Sequence, residues 1–212
     1  MSTWGQPKAD VMEGIIRDIN PELQLNTFKQ GISLDNLDEF LDGVDIYVDS
    51  LDIFALEIRR AVFARCYELG IPAITAAPMG MGTAFLVFMP GQMSFEDYFC
   101  LDGLGFEDQI ISFVIGVSPS VQQRTYLVDR SAVNFLQKKV PSTAMGIEIA
   151  AGVACSNVLK ILLNRGEVVV APRGLHFDAY RNRLIKTWRP WGNRNPLQRY
   201  MFWRVKRLLA ER

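Results

Sequence analysis

Residues 44–54 read VDIYVDSLDIF, and the fold class turns on them. Val44, Ile46 and Val48 alternate with Asp45, Tyr47 and Asp49, the period-two pattern of a strand rich in β-branched side chains. Asp49 and Asp52 then fall where the strand gives way to a loop, and in open α/β sheets ligands bind at the carboxyl ends of strands. Two readings stand side by side. The acids can favour the N-terminus of the following helix through its macrodipole. They can equally hold Mg²⁺, a hard cation that takes carboxylate oxygens and keeps waters and substrate phosphates as its other ligands. Arg59 and Arg60 on the next helix read as surface charges, and Lys8 behind Pro7 as an exposed lysine.

Working outward, the apolar periodicity predicts a helix over 54–69 closed by Gly70, then strands over 72–77 and 82–89 bounded by Pro90-Gly91. Upstream, Pro7 opens a helix carrying Val11, Ile15, Ile16 and Ile19 on one face, and Asn20-Pro21 ends it. Leu23 to Phe28 alternates as a short strand, and a short helix begins at Ser33 and closes at Gly43. Strands alternating with helices at these lengths predict βαβ units and a largely parallel sheet. Downstream, 94–140 reads as one or two short helices plus loops, with Tyr126-Leu-Val-Asp extended. A long helix follows over 143–164, then a short strand at 168–170 and a pair of weak strands over 175–187. Asn195-Pro196 starts a last helix.

The 212 residues fit one domain, or one domain plus an appendage. The 23 basic and 23 acidic side chains cancel but are segregated. Residues 10–57 hold 12 acids against Arg17 and Lys29, whereas 173–212 hold 11 bases against Asp178 and Glu211. Three cysteines without CxxC spacing and a single histidine argue against a disulfide framework or a zinc site, and for a reducing compartment. The N-terminus has no apolar signal region, and the apolar run 145–163 is interrupted by Glu148, Asn157 and Lys160. The expectation is a cytoplasmic chain without a transmembrane segment. Cys66 and Cys155 lie on apolar helix faces and read as buried packing residues; nothing around Cys100 marks a lowered pKa.

The order of several short motifs resembles the ThiF/MoeB family, the adenylyltransferases related to ubiquitin-activating enzymes. That pattern runs G-x-P-K-A, I-N-P, a strand ending D-x-x-D, R-x-x-x-x-x-x-C, G-I-P and a small-residue strand leading to glycine. Gly5, Pro7, Lys8, Ile19-Asn20-Pro21, Asp49, Asp52, Arg59, Cys66, Gly70-Ile71-Pro72 and Gly82 occupy those places. The likeness covers residues 5–90 closely and 142–187 loosely. MSFEDYF at 93–99 and FDAYRNRLIKTWRPWGNRNPLQR at 177–199 resemble the branch associated with nitroreductase-like domains. The resemblance implies ATP-dependent activation of a carboxylate, usually the C-terminal glycine of a small ubiquitin-like protein. It assigns Lys8 and Arg59 to catalysis, Lys8 and Asp52 to ATP, and Asp52, with Asp49 beside it, to Mg²⁺.

The family begins with a strand, a G-x-G-x-x-G turn, a helix and a second strand ending in a ribose-binding acid, and none of these is in this sequence. Glycines 80, 82 and 91 follow a late strand and open no helix. The expected fold is therefore an incomplete Rossmann-like, three-layer α/β fold with a mostly parallel sheet and a C-terminal helical and antiparallel extension. Residues 1–187 form an N-terminally truncated ThiF-like domain and 188–212 a basic aromatic tail. The expected chain is inactive alone and forms a homodimer or takes its N-terminal half from another chain. In the doubly wound order the absent first strand lies beside 44–49, whose ladder is then left open. Two alternatives stand: a non-enzymatic interaction module, and a peripheral membrane or nucleic-acid binder working through the tail.

Overall fold

Pro7, with φ fixed at −58°, immediately precedes the first helix, α1 (Lys8–Ile19), where its missing amide leaves no bond unmade. The computed structural model describes residues 3–126 and 143–210, and the chain divides into two compact units, Met1–Asp42 and Gly43–Arg212. In the first unit α1 is followed by a long loop and α2 (Leu37–Leu41). Lys29 ties that loop to α1 by pairing with Asp10 at 2.8 Å and Glu13 at 3.5 Å, and Glu13 also takes Arg17 at 3.0 Å. Phe28 and Phe40 meet edge-on, 5.3 Å apart. The strand expected at Leu23 to Phe28 does not form. The segment takes no regular structure and finds no ladder partner among the described residues.

The second unit holds a five-stranded sheet in the order β1 (Tyr47–Asp49), β2 (Ala73–Met79), β3 (Gly82–Phe88), β4 (Arg173–Asp178) and β5 (Arg183–Trp188). Only β1 and β2, joined by α3 (Leu56–Leu69), run parallel; the other three pairs are antiparallel. The α/β class holds, but the mostly parallel sheet does not. Gly80 and Met81 alone connect β2 to β3. A parallel return needs a crossover of a dozen or more residues, whereas a two-residue link closes a hairpin. Gly80 takes the left-handed φ of 62° that such a turn demands. Residues 168–170 form no strand, although the Ala171 amide donates to the Val87 carbonyl.

Alternation sorts the sheet's two faces. Ile74, Phe85 and Val87 point to α6 (Ala144–Leu162), whose Ala154 completes that core with Val153, Val158 and Ile161 around it. Ala73, Leu86 and Phe88 point the other way, towards α3, α4 (Phe95–Phe99) and α5 (Phe106–Val117). There Phe88, Phe95, Phe99 and Phe113 form a ring cluster with centroid spacings of 4.5 to 6.2 Å. Helices thus cover both faces, giving the three layers expected. Among the described residues α6 alone is long and apolar enough, by length and composition, to cross a membrane. Gly146, Ala150 and Ala154 form its buried stripe, and Met145, Ile147, Leu159 and Leu162 face outward. Cys155 lies on that outer side and is exposed, contrary to expectation, because α6 is apolar all round and pattern alone does not say which face docks.

Three elements converge on the β2–β3 turn. The Met81 amide donates to the Tyr126 hydroxyl at 2.9 Å, and that hydroxyl donates to Asp178 at 2.5 Å. The Thr143 hydroxyl donates to the Gly80 carbonyl at 2.6 Å while capping α6 through the Gly146 amide. A Cβ on Gly80 would lie 2.3 Å from the Tyr126 oxygen, so only glycine fits. The stretch expected to extend from Tyr126 lies, beyond that residue, outside the described residues.

The C-terminal segment is built into the second unit rather than appended to it. Asn193 donates to the Phe99 and Ser112 carbonyls, and Gln198, buried on α7 (Pro196–Ala210), donates to the Ile115 carbonyl at 3.0 Å. Lys206 pairs with Asp108 on α5 at 2.7 Å. The division between compact units therefore falls at 42/43, and none falls at 187/188.

Beneath β4 lies a polar cluster around the chain's one histidine. His176 is fully buried; its Nδ1 faces the Ser120 hydroxyl at 2.6 Å and the Ser118 hydroxyl at 3.2 Å. Gln122, in the 3-10 turn Gln122–Thr125, donates to the His176 carbonyl at 2.8 Å. Burial lowers the His176 pKa to about 4, so the folded protein holds the ring neutral. An unfolded histidine binds its proton near pH 6.5, so this stabilisation is complete above that pH and is lost as pH falls towards 4. We expect urea unfolding to show a loss between pH 7 and pH 5, on the order of 1–2 kcal/mol, that His176→Asn abolishes. An unchanged slope in the variant would show that the histidine is not its source.

Candidate functional site

Strand β1 ends where its side chains change task. Tyr47 and Asp49 point inward, while Val48 is 41% exposed on the opposite face. β1 pairs only with β2 among the described residues and so ends the sheet. Beyond it the chain turns through residues 50–55 into α3.

That turn is held by one side chain. Arg59, a turn into α3, donates through Nε to the Asp49 carboxylate at 2.9 Å, through Nη1 to the Asp52 carbonyl at 3.1 Å, and through Nη2 to the Leu51 carbonyl. The guanidinium carbon also sits 4.7 Å from the Phe113 ring centre, a cation–π contact. The other Asp49 oxygen accepts the Leu51 amide at 3.1 Å and the Tyr47 hydroxyl at 3.4 Å. Both members of the pair are buried, their side chains 3% and 2% exposed. Burial and the neighbouring Asp49 charge push the Tyr47 hydroxyl pKa far up, so it stays a hydrogen-bond donor.

This geometry changes two of the expected roles. Arg59, assigned by resemblance to catalysis, spends its guanidinium on Asp49 and two backbone carbonyls, and so positions the loop. Asp49, assigned to the metal, is buried and has both oxygens engaged, one by Arg59 and the other within its own loop, so it faces the clamp rather than solvent. Asp52 is different. Its side chain is exposed; one oxygen accepts the Phe54 amide at 2.9 Å, and Arg59 fixes its backbone through the carbonyl. Arg60 reaches instead to Glu96 at 2.9 Å and Asp102 at 3.5 Å. Lys8 is the exposed first residue of α1, in the first unit.

No group of three or more His, Cys, Asp or Glu side chains comes together among the described residues. A metal cage built by the protein is therefore not what these residues offer. A single exposed carboxylate at a strand end fits Mg²⁺ carried by a nucleotide, because that ion keeps several waters and phosphate oxygens and takes one or two protein carboxylates. Two of the cysteines are shielded by burial. Burial pushes the Cys66 thiol up to about 12 and also raises Cys100, so neither is a ready thiolate. Sequence reasoning missed the Arg59 clamp because its partners lie seven to ten residues upstream, with no spacing that marks them.

Residues 1–200 match the model of the ThiF family. Among solved structures the fold is similar to E. coli MccB with ATP, at a TM-score of 0.56 and 14% identity, covering 86% of this chain and 48% of that one. The complex of E. coli MccB with MccA-N7isoASN gives 0.59 and 15%, covering 92% and 52%. PaaA gives 0.55 and 16%, covering 87% and 48%. The chain spans about half the length of these neighbours. Among curated protein sequences none matches it.

The clamp and the exposed acid respond differently to substitution. Arg59→Ala leaves Asp49 buried and unpaired and is expected to cost about 3–5 kcal/mol in urea unfolding. Asp52→Ala removes only a local bond to the Phe54 amide and is expected to cost about 1 kcal/mol or less. Equal losses would overturn this division of labour.

Proposed function

We propose that this chain, which belongs to the ThiF family, acts in the ATP-dependent activation of a carboxylate, forming an acyl-adenylate and releasing pyrophosphate. The observation that carries the reading is the Asp52 loop. An exposed carboxylate stands at the carboxyl end of the parallel pair β1–β2, held there by a buried ion pair beneath it. Asp52 takes the role of anchoring a nucleotide-bound Mg²⁺, which would offset charge on the phosphates and the leaving pyrophosphate. Arg59 and Asp49 keep that carboxylate's backbone in place before the nucleotide arrives, so little ordering is required on binding. Lys8, in the G-x-P-K-A motif, serves as a point cation for phosphate.

The substrate in this reading is a protein or peptide tail ending in a free carboxylate, a small ubiquitin-like protein being the family's usual one. The sequence contains no G-x-G-x-x-G turn to present a row of backbone amides to phosphate. We propose that a segment outside these 212 residues supplies those amides. The place of β1 at the end of the sheet supports such completion, because an edge strand is the position at which a further strand can be added.

Calorimetry with Mg·ATP on the full chain tests the reading, with Lys8→Ala and Asp52→Ala as comparisons and pyrophosphate exchange as the activity readout. Binding weakened at least about tenfold by each substitution, a loss of about 1.4 kcal/mol, is the expected result. No binding at millimolar ATP would exclude a stand-alone nucleotide site. Binding indifferent to Asp52→Ala would remove the metal role from that residue.

A further inference from the structure

The proposed activity leaves the outer face of α7 without a task. Gln198, Phe202 and Val205 turn inward, Gln198 bonding to α5, so the helix is docked and its opposite side is fixed outward. That side carries Tyr200 and Trp203, 53% and 54% exposed, with Leu197 and Leu208 flanking them and also exposed. The two rings stack at 6.1 Å with planes 27° apart, and the Arg207 guanidinium lies 5.7 Å from the Trp203 ring centre. Arg199 and Arg204 line the same stripe and have no acidic partner among the described residues. Lys206 instead points to Asp108 on α5. The helix contains no acid at all.

We propose that this face docks on an anionic phospholipid surface. Exposed tyrosine and tryptophan prefer the boundary between headgroups and acyl chains, where an apolar ring body and a polar tip are both satisfied. Flanking arginines meet the negative surface potential of such a membrane. The exposed leucines add apolar area that a bilayer buries and a phosphate backbone does not. Nucleic acid is the poorer fit for a geometric reason. Tyr200 lies one turn before Trp203 and Arg207 one turn after it, so the indole already has a stacked ring and a guanidinium beside it, with which a base would compete. The inner face stays on α5 throughout, so binding is shallow and needs no unfolding of the helix.

Flotation of the full chain with phosphatidylcholine vesicles, with and without phosphatidylserine, tests the proposal independently of any nucleotide chemistry. The protein is expected to float with the phosphatidylserine vesicles and to be released by raised salt. Arg199→Gln/Arg204→Gln is expected to weaken partitioning on the order of 25-fold, from about fivefold per neutralised charge. Tyr200→Ser/Trp203→Ser should weaken it as well, with circular dichroism unchanged because the docked face is untouched. Absence of flotation, flotation that ignores phosphatidylserine, or flotation surviving both variants would each overturn the proposal, the last pointing to the apolar outer side of α6. Binding to a single-stranded oligonucleotide in place of vesicles would overturn it too.

Discussion

A carboxylate and a guanidinium can be buried together only when their attraction and hydrogen bonds offset the loss of two hydration shells, and Asp49 and Arg59 meet that condition almost completely. One Asp49 oxygen takes Arg59 and the other takes the Leu51 amide, while Arg59 uses two more of its donors on the Leu51 and Asp52 carbonyls. The pair does three things at once. It stops β1 after Asp49, sets the entry of α3, and lifts Asp52 clear of the packed layer. Phe113 beneath the guanidinium links this corner to the aromatic cluster between sheet and helices. The candidate site is thus continuous with the core, and its geometry is inherited from packing.

The two faces of the sheet are stabilised differently. On the α6 side, small residues let helix and strands approach closely, since a Cβ added at Gly146 would stand 2.6 Å from the Gly80 carbonyl. On the other side large rings fill a deeper layer, and buried backbone carbonyls are satisfied by side chains such as Asn193, Gln198 and Ser112. That wiring is why the C-terminal segment belongs to the second unit despite its different composition. Gly192, at the start of the closing 3-10 turn, lies so near the Tyr98 backbone that any side chain there would collide with it.

Helices were legible because their ends carry chemistry. Gly70 adopts the left-handed cap that closes α3, and Asn195 accepts the Leu197 amide at the start of α7. Strand direction was not legible. Fully buried strands such as β3 read as continuous apolar runs whichever way they point, and only the two-residue Gly80–Met81 link carried the answer. Leu23 to Phe28 shows the converse, since alternation reports two unlike faces and says nothing of a neighbour to pair with. Of the site, the D-x-x-D spacing correctly marked the strand end. It could not tell which acid would be consumed by a buried partner, because that depends on Arg59 returning from the next helix.

Tyr126 and Thr143 are anchored to adjacent residues of the same hairpin turn, one through the Met81 amide and the other through the Gly80 carbonyl. The turn thereby pins two points of the chain, Tyr126 and Thr143, to one corner of the sheet. A substitution at Gly80 therefore disturbs three things at once: the hairpin, the Tyr126 anchor and the start of α6.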